Sequence, residues 1–169
     1  ADVVVVTRKS ASLADAEGVR TTLAARTASA GATPPSAIVH LAPDRLQRWA
    51  NVDTPAPDAR DARDALDALA GARILAVAGI GEPRAFAAQL RAAGADVTLA
   101  AFGDHHAYTL ADAAALARRG AHVDLVVCTL KDAVKLGPLW PRGAPPLWYV
   151  SQRVVVERGA ELLDGLLHR

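Results

Sequence analysis

At 169 residues the chain is long enough for one good-sized domain, or a small domain with part of another. Its 19 basic and 18 acidic residues leave a formal charge of +1, which gives no electrostatic case for nucleic acid or an anionic membrane surface. Hydrophobic residues make up 51% but aromatics only 4%, so the core must be built from Ala, Val and Leu, and no apolar run approaches the roughly 18 residues of a membrane-spanning helix.

The chain opens on "DVVVVTR" (2–8), a continuous β-branched run that predicts a strand buried on both faces. "SLADAEGVRTTLAAR" follows as a helix: Ser12 and Asp15 have capping-box spacing, and Leu13, Ala16, Val19 and Leu23 line one face. "ASAGATPPSA" is a turn-rich link, and "IVHLA" (38–42) is a short strand. Residues 50–64, "ANVDTPAPDARDARD", hold prolines and aspartates with few large apolar groups, and predict a surface linker entering a short helix towards Leu69.

Beyond it the alternation is regular. "RILAVAGI" is a buried strand. "PRAFAAQLRAAG" is a helix with Pro83 at its first position, Phe86, Ala87 and Leu90 inward, and Gly94 as its stop. "DVTLAAF" is a strand, "TLADAAALARRG" a helix boxed by Thr109 and Asp112, and "DLVVCT" a strand again. A proline-rich passage leads to "LWYVSQ" and "RVVVER", and "GAELLDGLLHR" closes as a helix. Strand alternating with helix predicts an α/β fold: a Rossmann-like three-layer lobe with a mainly parallel sheet. The expected division is 1–50, a strand-helix-strand segment, 51–69, a linker, and 70–169, the Rossmann-like lobe.

In such sheets ligands lie beyond the carboxyl ends of the strands, and the suggestive residues all fall there. "GIGEP" places Gly79 and Gly81 before a helix, either as a phosphate loop or as a tight turn; the third glycine of a dinucleotide fingerprint is missing. "GDHHAY" sets Asp104 beside His105 and His106. An Asp can fix the tautomer of a neighbouring His and raise its basicity for acid–base work; the plainer reading is a turn capped by Asp104 with two solvated histidines. "CTLKDAVKL" brings Thr129, Lys131 and Asp132 to the third strand end. Lys131 there offers a phosphate a point charge; alternatively Lys131 and Asp132 cap and pair at a helix start, with Val134 in the core. His40, His122 and His168 read as structural or exposed. Cys128, the lone cysteine, reads as a buried thiol in a reducing compartment. Trp49, Trp140 and Trp148 are spread out, with no aromatic–basic interleaving to suggest nucleic acid. None of the lysines, Lys9, Lys131 and Lys135, follows a glycine, so the chain contains no Gly-x-x-x-x-Gly-Lys-[Ser/Thr] loop. It contains no methionine and begins inside a strand pattern, which points to a segment excised from a longer protein.

Taken in order, "LAVAGIGEPRAF", "FGDHHAYTLAD", "TLKDAVKL" and "PLWYV" resemble the C-terminal half of the tetraacyldisaccharide 4′-kinase (lipid A 4′-kinase) family. "ADVVVVTRK" resembles a late strand of that family's P-loop half, so residues 1–50 would be the tail of the P-loop lobe. The resemblance implies a bacterial kinase that moves the γ-phosphoryl group of ATP, with Mg²⁺, onto the 4′-hydroxyl of an acylated glucosamine disaccharide 1-phosphate. It implies peripheral attachment at the cytoplasmic face of the inner membrane through that lipid. By similarity, His105, with Asp104 beside it, supports an aspartate base belonging to an N-terminal P-loop lobe outside this chain, so the chain alone would be inactive. His106, Lys131, Asp132, Gly79 and Gly81 would face the cleft, and no metal ligand would lie in this chain. The family's Thr-Glu-Lys-Asp reads Thr-Leu-Lys-Asp here, with Leu130 in place of an acid, and Thr7 stands where the family commonly has asparagine. Two rivals remain: a non-catalytic binding domain on the same scaffold, and a metal-dependent phosphoesterase using Asp104, His105 and His106 as manganese ligands.

Overall fold

The computed structural model describes residues 3–8, 11–28, 34–49 and 63–167. They form β1 (Val4–Arg8), α1 (Leu13–Ala28), β2 (Ser36–Arg48), β3 (Arg63–Asp64), α2 (Ala65–Leu69), β4 (Arg73–Ala78), α3 (Pro83–Ala92), β5 (Asp96–Ala101), α4 (Leu110–Gly120), β6 (Leu125–Thr129), α5 (Leu130–Leu136), β7 (Leu147–Arg158) and α6 (Ala160–Leu167). A single 3-10 turn, Gly137–Leu139, follows α5. The chain divides into two compact units, Ala1–Ala42 with Arg153–Arg169, and Pro43–Gln152. This division differs from the one expected at 51–69. Residues 51–62 of that segment lie outside the described residues, and the remainder forms β3 and α2.

In the first unit β1 pairs in parallel with the start of β2, from Val4↔Ser36 to Arg8↔His40. Ser12 and Asp15 start α1 as their spacing predicts: the Asp15 N–H donates to Ser12 Oγ at 3.1 Å and the Ser12 N–H to Asp15 Oδ2 at 3.1 Å. Of the apolar stripe on α1, Ala16 is buried, whereas Val19 and Leu23 are exposed. The end of β7 belongs to this unit, and Glu157 there meets side chains of both of its other strands. Arg8 donates to it through Nε and Nη2, both at 2.6 Å, and His40 Nδ1 lies 3.2 Å from Glu157 Oε1. A sequence reading that stops at local pattern has no access to a pair 149 residues apart.

In the second unit the strand order is β2-β7-β6-β4-β5, with β3 antiparallel on β2. β4 pairs in parallel with β5 and β6, and β6 in parallel with β7. Trp49 N donates to Leu147 O and Arg45 N to Ser151 Oγ, so β2 and β7 meet in opposite order along the chain. The sheet is mixed but mostly parallel, as the alternation of strand and helix requires. β2 is 13 residues long, not 5, and runs through Pro43. That proline falls between the partners of β1 and those of β3, where a missing N–H breaks neither ladder.

The pleat of β4 sends Ile74, Ala76 and Ala78 to one face and Leu75 and Val77 to the other, and all five are buried. The first face packs under α3 through Phe86, Ala87 and Leu90, with Leu46, Leu69, Val127 and Trp148. The second packs under α4 and α5 through Ala113, Leu116, Ala133 and Leu136, with Val126, Cys128 and Trp140. This is the expected three-layer α/β arrangement. Pro83 opens α3, and Gly94 closes its end at φ +90, a conformation that favours glycine. On α5 the inner face is Asp132, Ala133 and Leu136, and Val134, expected in the core, is 58% exposed. The expected phase of this short helix is corrected by the contacts of Asp132 described below.

Candidate functional site

Because β4, β5 and β6 are parallel neighbours, their carboxyl ends share one edge. Three loops leave that edge: Gly79–Glu82, Phe102–Thr109 and the Thr129–Asp132 turn that opens α5. The structure brings the sequence motifs together there, and sorts them into a buried group and an exposed one.

The buried group centres on Asp132, which is 0% exposed. Its Oδ1 accepts the Gly79 N–H at 3.1 Å and the Tyr108 hydroxyl at 2.9 Å. Its Oδ2 accepts the Thr129 hydroxyl at 2.6 Å, and Thr129 Oγ1 in turn accepts the Asp132 N–H at 3.2 Å. One carboxyl group therefore ties the three loops, each bond made in a low-dielectric setting where an unpaired group would be costly. Burial, and then the nearby Asp132 carboxyl, push the Tyr108 hydroxyl well above its ordinary range, so it stays a donor. Burial likewise raises the Cys128 thiol, which fits the structural role expected of it. Gly79 leaves room for this bond: a Cβ there would lie 2.9 Å from Tyr108 Oη and 3.0 Å from Asp132 Oδ1, so one of them would have to shift.

The middle loop is pinned at both ends. Phe102 N–H donates to Ala78 O at 2.9 Å where the loop starts. At its end Thr109 Oγ1 accepts the Asp112 N–H while Asp112 Oδ2 accepts the Thr109 N–H at 2.9 Å, the predicted capping box. The rings of Phe102, His106 and Tyr108 lie against one another, with centroids 4.7 to 5.1 Å apart. His106 Nε2 sits 3.2 Å from Asp112 Oδ2. Hydrogen bonds from Thr109, and then from His106, hold the Asp112 carboxyl below its usual range.

The exposed group is Asp104, His105, Gly81, Lys131 and Lys135. His105 has φ 57, and it is the only non-glycine residue with positive φ among those described. Left-handed backbone is uncommon for a residue with a Cβ and is found where surroundings enforce it. The consequence is that His106 turns inward while the His105 side chain stands 82% exposed at the sheet edge. Asp104 Oδ1 accepts the His105 N–H at 3.0 Å, but the His105 ring lies 3.8 Å from Asp104 Oδ2, too far for a hydrogen bond. Asp104 thus shapes the turn, and the Asp–His ring contact anticipated for residues 104 and 105 forms instead between residues 112 and 106.

The loop after β4 does not fit a triphosphate. The Gly79 N–H already serves Asp132, and a Cβ at Gly81 would sit 3.6 Å from the Asp104 carboxylate, which opposes an anion there. Lys131 is exposed on α5, and Lys135 Nζ approaches His106 O at 3.5 Å. Among the described residues no group of three or more His, Cys, Asp or Glu is arranged to hold a metal ion. No helix among them is long and apolar enough to cross a membrane. Tyr108 and Thr129 received no role from the sequence. The signal for Thr129 was present in the Thr-x-x-Asp spacing it shares with Thr109 and Asp112, whereas nothing local points from Tyr108 to a partner 24 residues away.

Residues 1–169 match the profile of the family described as LpxK, tetraacyldisaccharide-1-P 4′-kinase. A tetraacyldisaccharide 4′-kinase of Chelativorans sp. (strain BNC1) is 45% identical over 84 residues, which are 48% of this chain and 24% of that protein. One of Rhodopseudomonas palustris (strain BisB5) is 41% identical over 105 residues, 60% of this chain and 30% of the relative. The matched parts thus span under a third of these curated relatives. A crystal structure of "apo" form LpxK from Aquifex aeolicus in complex with ATP aligns with a TM-score of 0.48 and 20% identity, over 82% of this chain and 37% of that one. Since a single family profile covers the chain from its first residue to its last, the chain belongs to the tetraacyldisaccharide-1-P 4′-kinase family.

Proposed function

We propose that this chain is the second-lobe portion, with the tail of a P-loop lobe, of a kinase that transfers the γ-phosphoryl group of ATP to the 4′-hydroxyl of an acylated glucosamine disaccharide 1-phosphate. The observation that carries the reading is the exposed His105, held in left-handed backbone at the strand-end edge of a chain whose whole length matches the family. In this assignment the unit of residues 1–42 and 153–169 belongs to the P-loop lobe and Pro43–Gln152 to the second lobe. ATP and Mg²⁺ are bound by protein outside this chain, whose own residues offer no triphosphate loop.

Phosphoryl transfer depends on positioning and charge stabilisation rather than on covalent chemistry by the protein. The role assigned to His105 is to orient an aspartate base that this chain does not contain. Asp104 holds the turn from which His105 projects. Lys131 lies on the same edge with its ammonium in solvent, available to an anionic headgroup. His106, Gly79 and Asp132 act from beneath that surface. The acylated acceptor brings the enzyme to the cytoplasmic face of the inner membrane, as a peripheral protein.

The test is His105→Ala in the full-length protein, assayed with ATP and the acylated disaccharide. We expect kcat to fall by about two orders of magnitude, the scale of a lost acid–base contribution, while the melting temperature stays within a few degrees. Activity near wild type would remove the role given to His105.

A further inference from the structure

We infer that Tyr108, acting through Asp132, is a positioning residue for the reaction: it fixes the loop that presents His105. The inference rests on the kinase reading and extends it to a residue to which that reading gives no task.

Between Phe102 and Thr109 the chain makes one internal turn, from the His106 N–H to Gly103 O at 3.1 Å. The left-handed backbone of His105 sits inside that turn, and such a conformation persists only where neighbours enforce it. Two restraints act from below. The His106 ring is wedged between Phe102 and Tyr108 and held to Asp112, so residue 106 cannot rotate outward and exchange places with residue 105. The Tyr108 ring is in turn held by its hydroxyl on Asp132, in the same buried group that secures the loops after β4 and β6. Asp132 also carries the single carboxyl group that is fully buried among the described residues. A polar group in this position is weak evidence for stability, because apolar packing of the same shape serves as well. What it supplies is one fixed arrangement of three loops, and the placement of His105 follows from that arrangement.

A positioning role makes a demand that a general structural role does not: its effect must pass through His105. The experiment is a double-mutant cycle in the full-length enzyme, with Tyr108→Phe and His105→Ala alone and combined, read as kcat and as KM for ATP and for the lipid acceptor. Tyr108→Phe keeps the ring stack and removes only the hydroxyl. We expect it to lower kcat about tenfold, with both KM values unchanged within about twofold. In the His105→Ala background the same substitution lowers kcat no further. Gly79→Ala reaches the same bond from the other side, since its Cβ would meet Tyr108 Oη and Asp132 Oδ1, and it should give the same pattern with the hydroxyl retained. Where Tyr108→Phe does not fold, Gly79→Ala takes its place in the cycle.

An unchanged kcat in Tyr108→Phe overturns the inference. So does a loss of equal size in both backgrounds, which is what a general loosening of the domain produces, or a loss confined to KM. In each of these three cases a large effect of His105→Ala leaves the kinase reading standing. If His105→Ala is itself inert, the role given to His105 fails first and this inference goes with it.

Discussion

Adjacent residues of one chemical type have been driven to opposite surroundings. His105 and His106 are neighbours, yet one stands in solvent and the other lies against two aromatic rings and a carboxylate. A turn with one left-handed residue is what separates them, and that conformation costs roughly 1–2 kcal/mol for a residue with a Cβ. Glycine would relieve that cost, less its own greater entropy loss on folding. His105→Gly is therefore expected to leave thermal stability unchanged or raise it by up to about 1 kcal/mol. Activity of the full-length enzyme should fall as far as in His105→Ala. Urea denaturation alongside the kinase assay checks both halves, and a clear loss of stability would show that the ring, not the backbone, matters to the fold.

Among the elements, short helices and strand ends carry more information than long ones. α5 is seven residues long, too short to hold its own phase, and Asp132 sets it by turning inward to Gly79, Tyr108 and Thr129. Val134 is left outside as a result, although its residue type reads as core. The end of β7 is set in a comparable way by Glu157. Hydrogen bonds from Arg8, and its charge together with that of His40, lower the Glu157 carboxyl from the usual 4.5 to about 2. A folded-state value below the unfolded one gives stability that is full above about 4.5 and lost as pH falls through about 2. Melting temperature followed against pH should show Glu157→Gln less stable than wild type at neutral pH, with the gap closing as the solution approaches pH 2. A gap that stays constant over that range would mean the ion pair is not the source of the difference.

For the molecule as a whole, the chain matches the family over its length but has no lysine after a glycine, so it contains no Gly-x-x-x-x-Gly-Lys-[Ser/Thr] loop to hold the phosphates of ATP. The expected outcome is that the isolated chain neither hydrolyses ATP nor transfers its phosphate, and a radiolabelled ATP assay on purified protein checks it. Turnover above background would place a nucleotide site within these residues and displace the assignment of ATP to another part of the protein.

Much of this was legible without coordinates. Apolar runs give β1, β4, β5 and β6, and β4 and β6 are buried on both faces as a continuous apolar run predicts. β1, expected to be so, instead alternates half-buried and exposed residues, with Val5 on its open face. The caps at Ser12, Pro83 and Thr109 and the stop at Gly94 are local chemistry, decided within a few residues. The presence of the Asp104, His105 and Lys131 motifs at one sheet edge follows from parallel topology alone. Which of them face solvent does not follow, nor does the extension of β2 through Pro43. Those outcomes depend on partners far away in sequence: Tyr108 on Asp132, Arg8 on Glu157, Trp49 on Leu147. Local pattern determines the elements because hydrogen bonding and side-chain periodicity act over a few residues. Burial of a polar group is decided only when the whole sheet has closed and brought it the donors it needs.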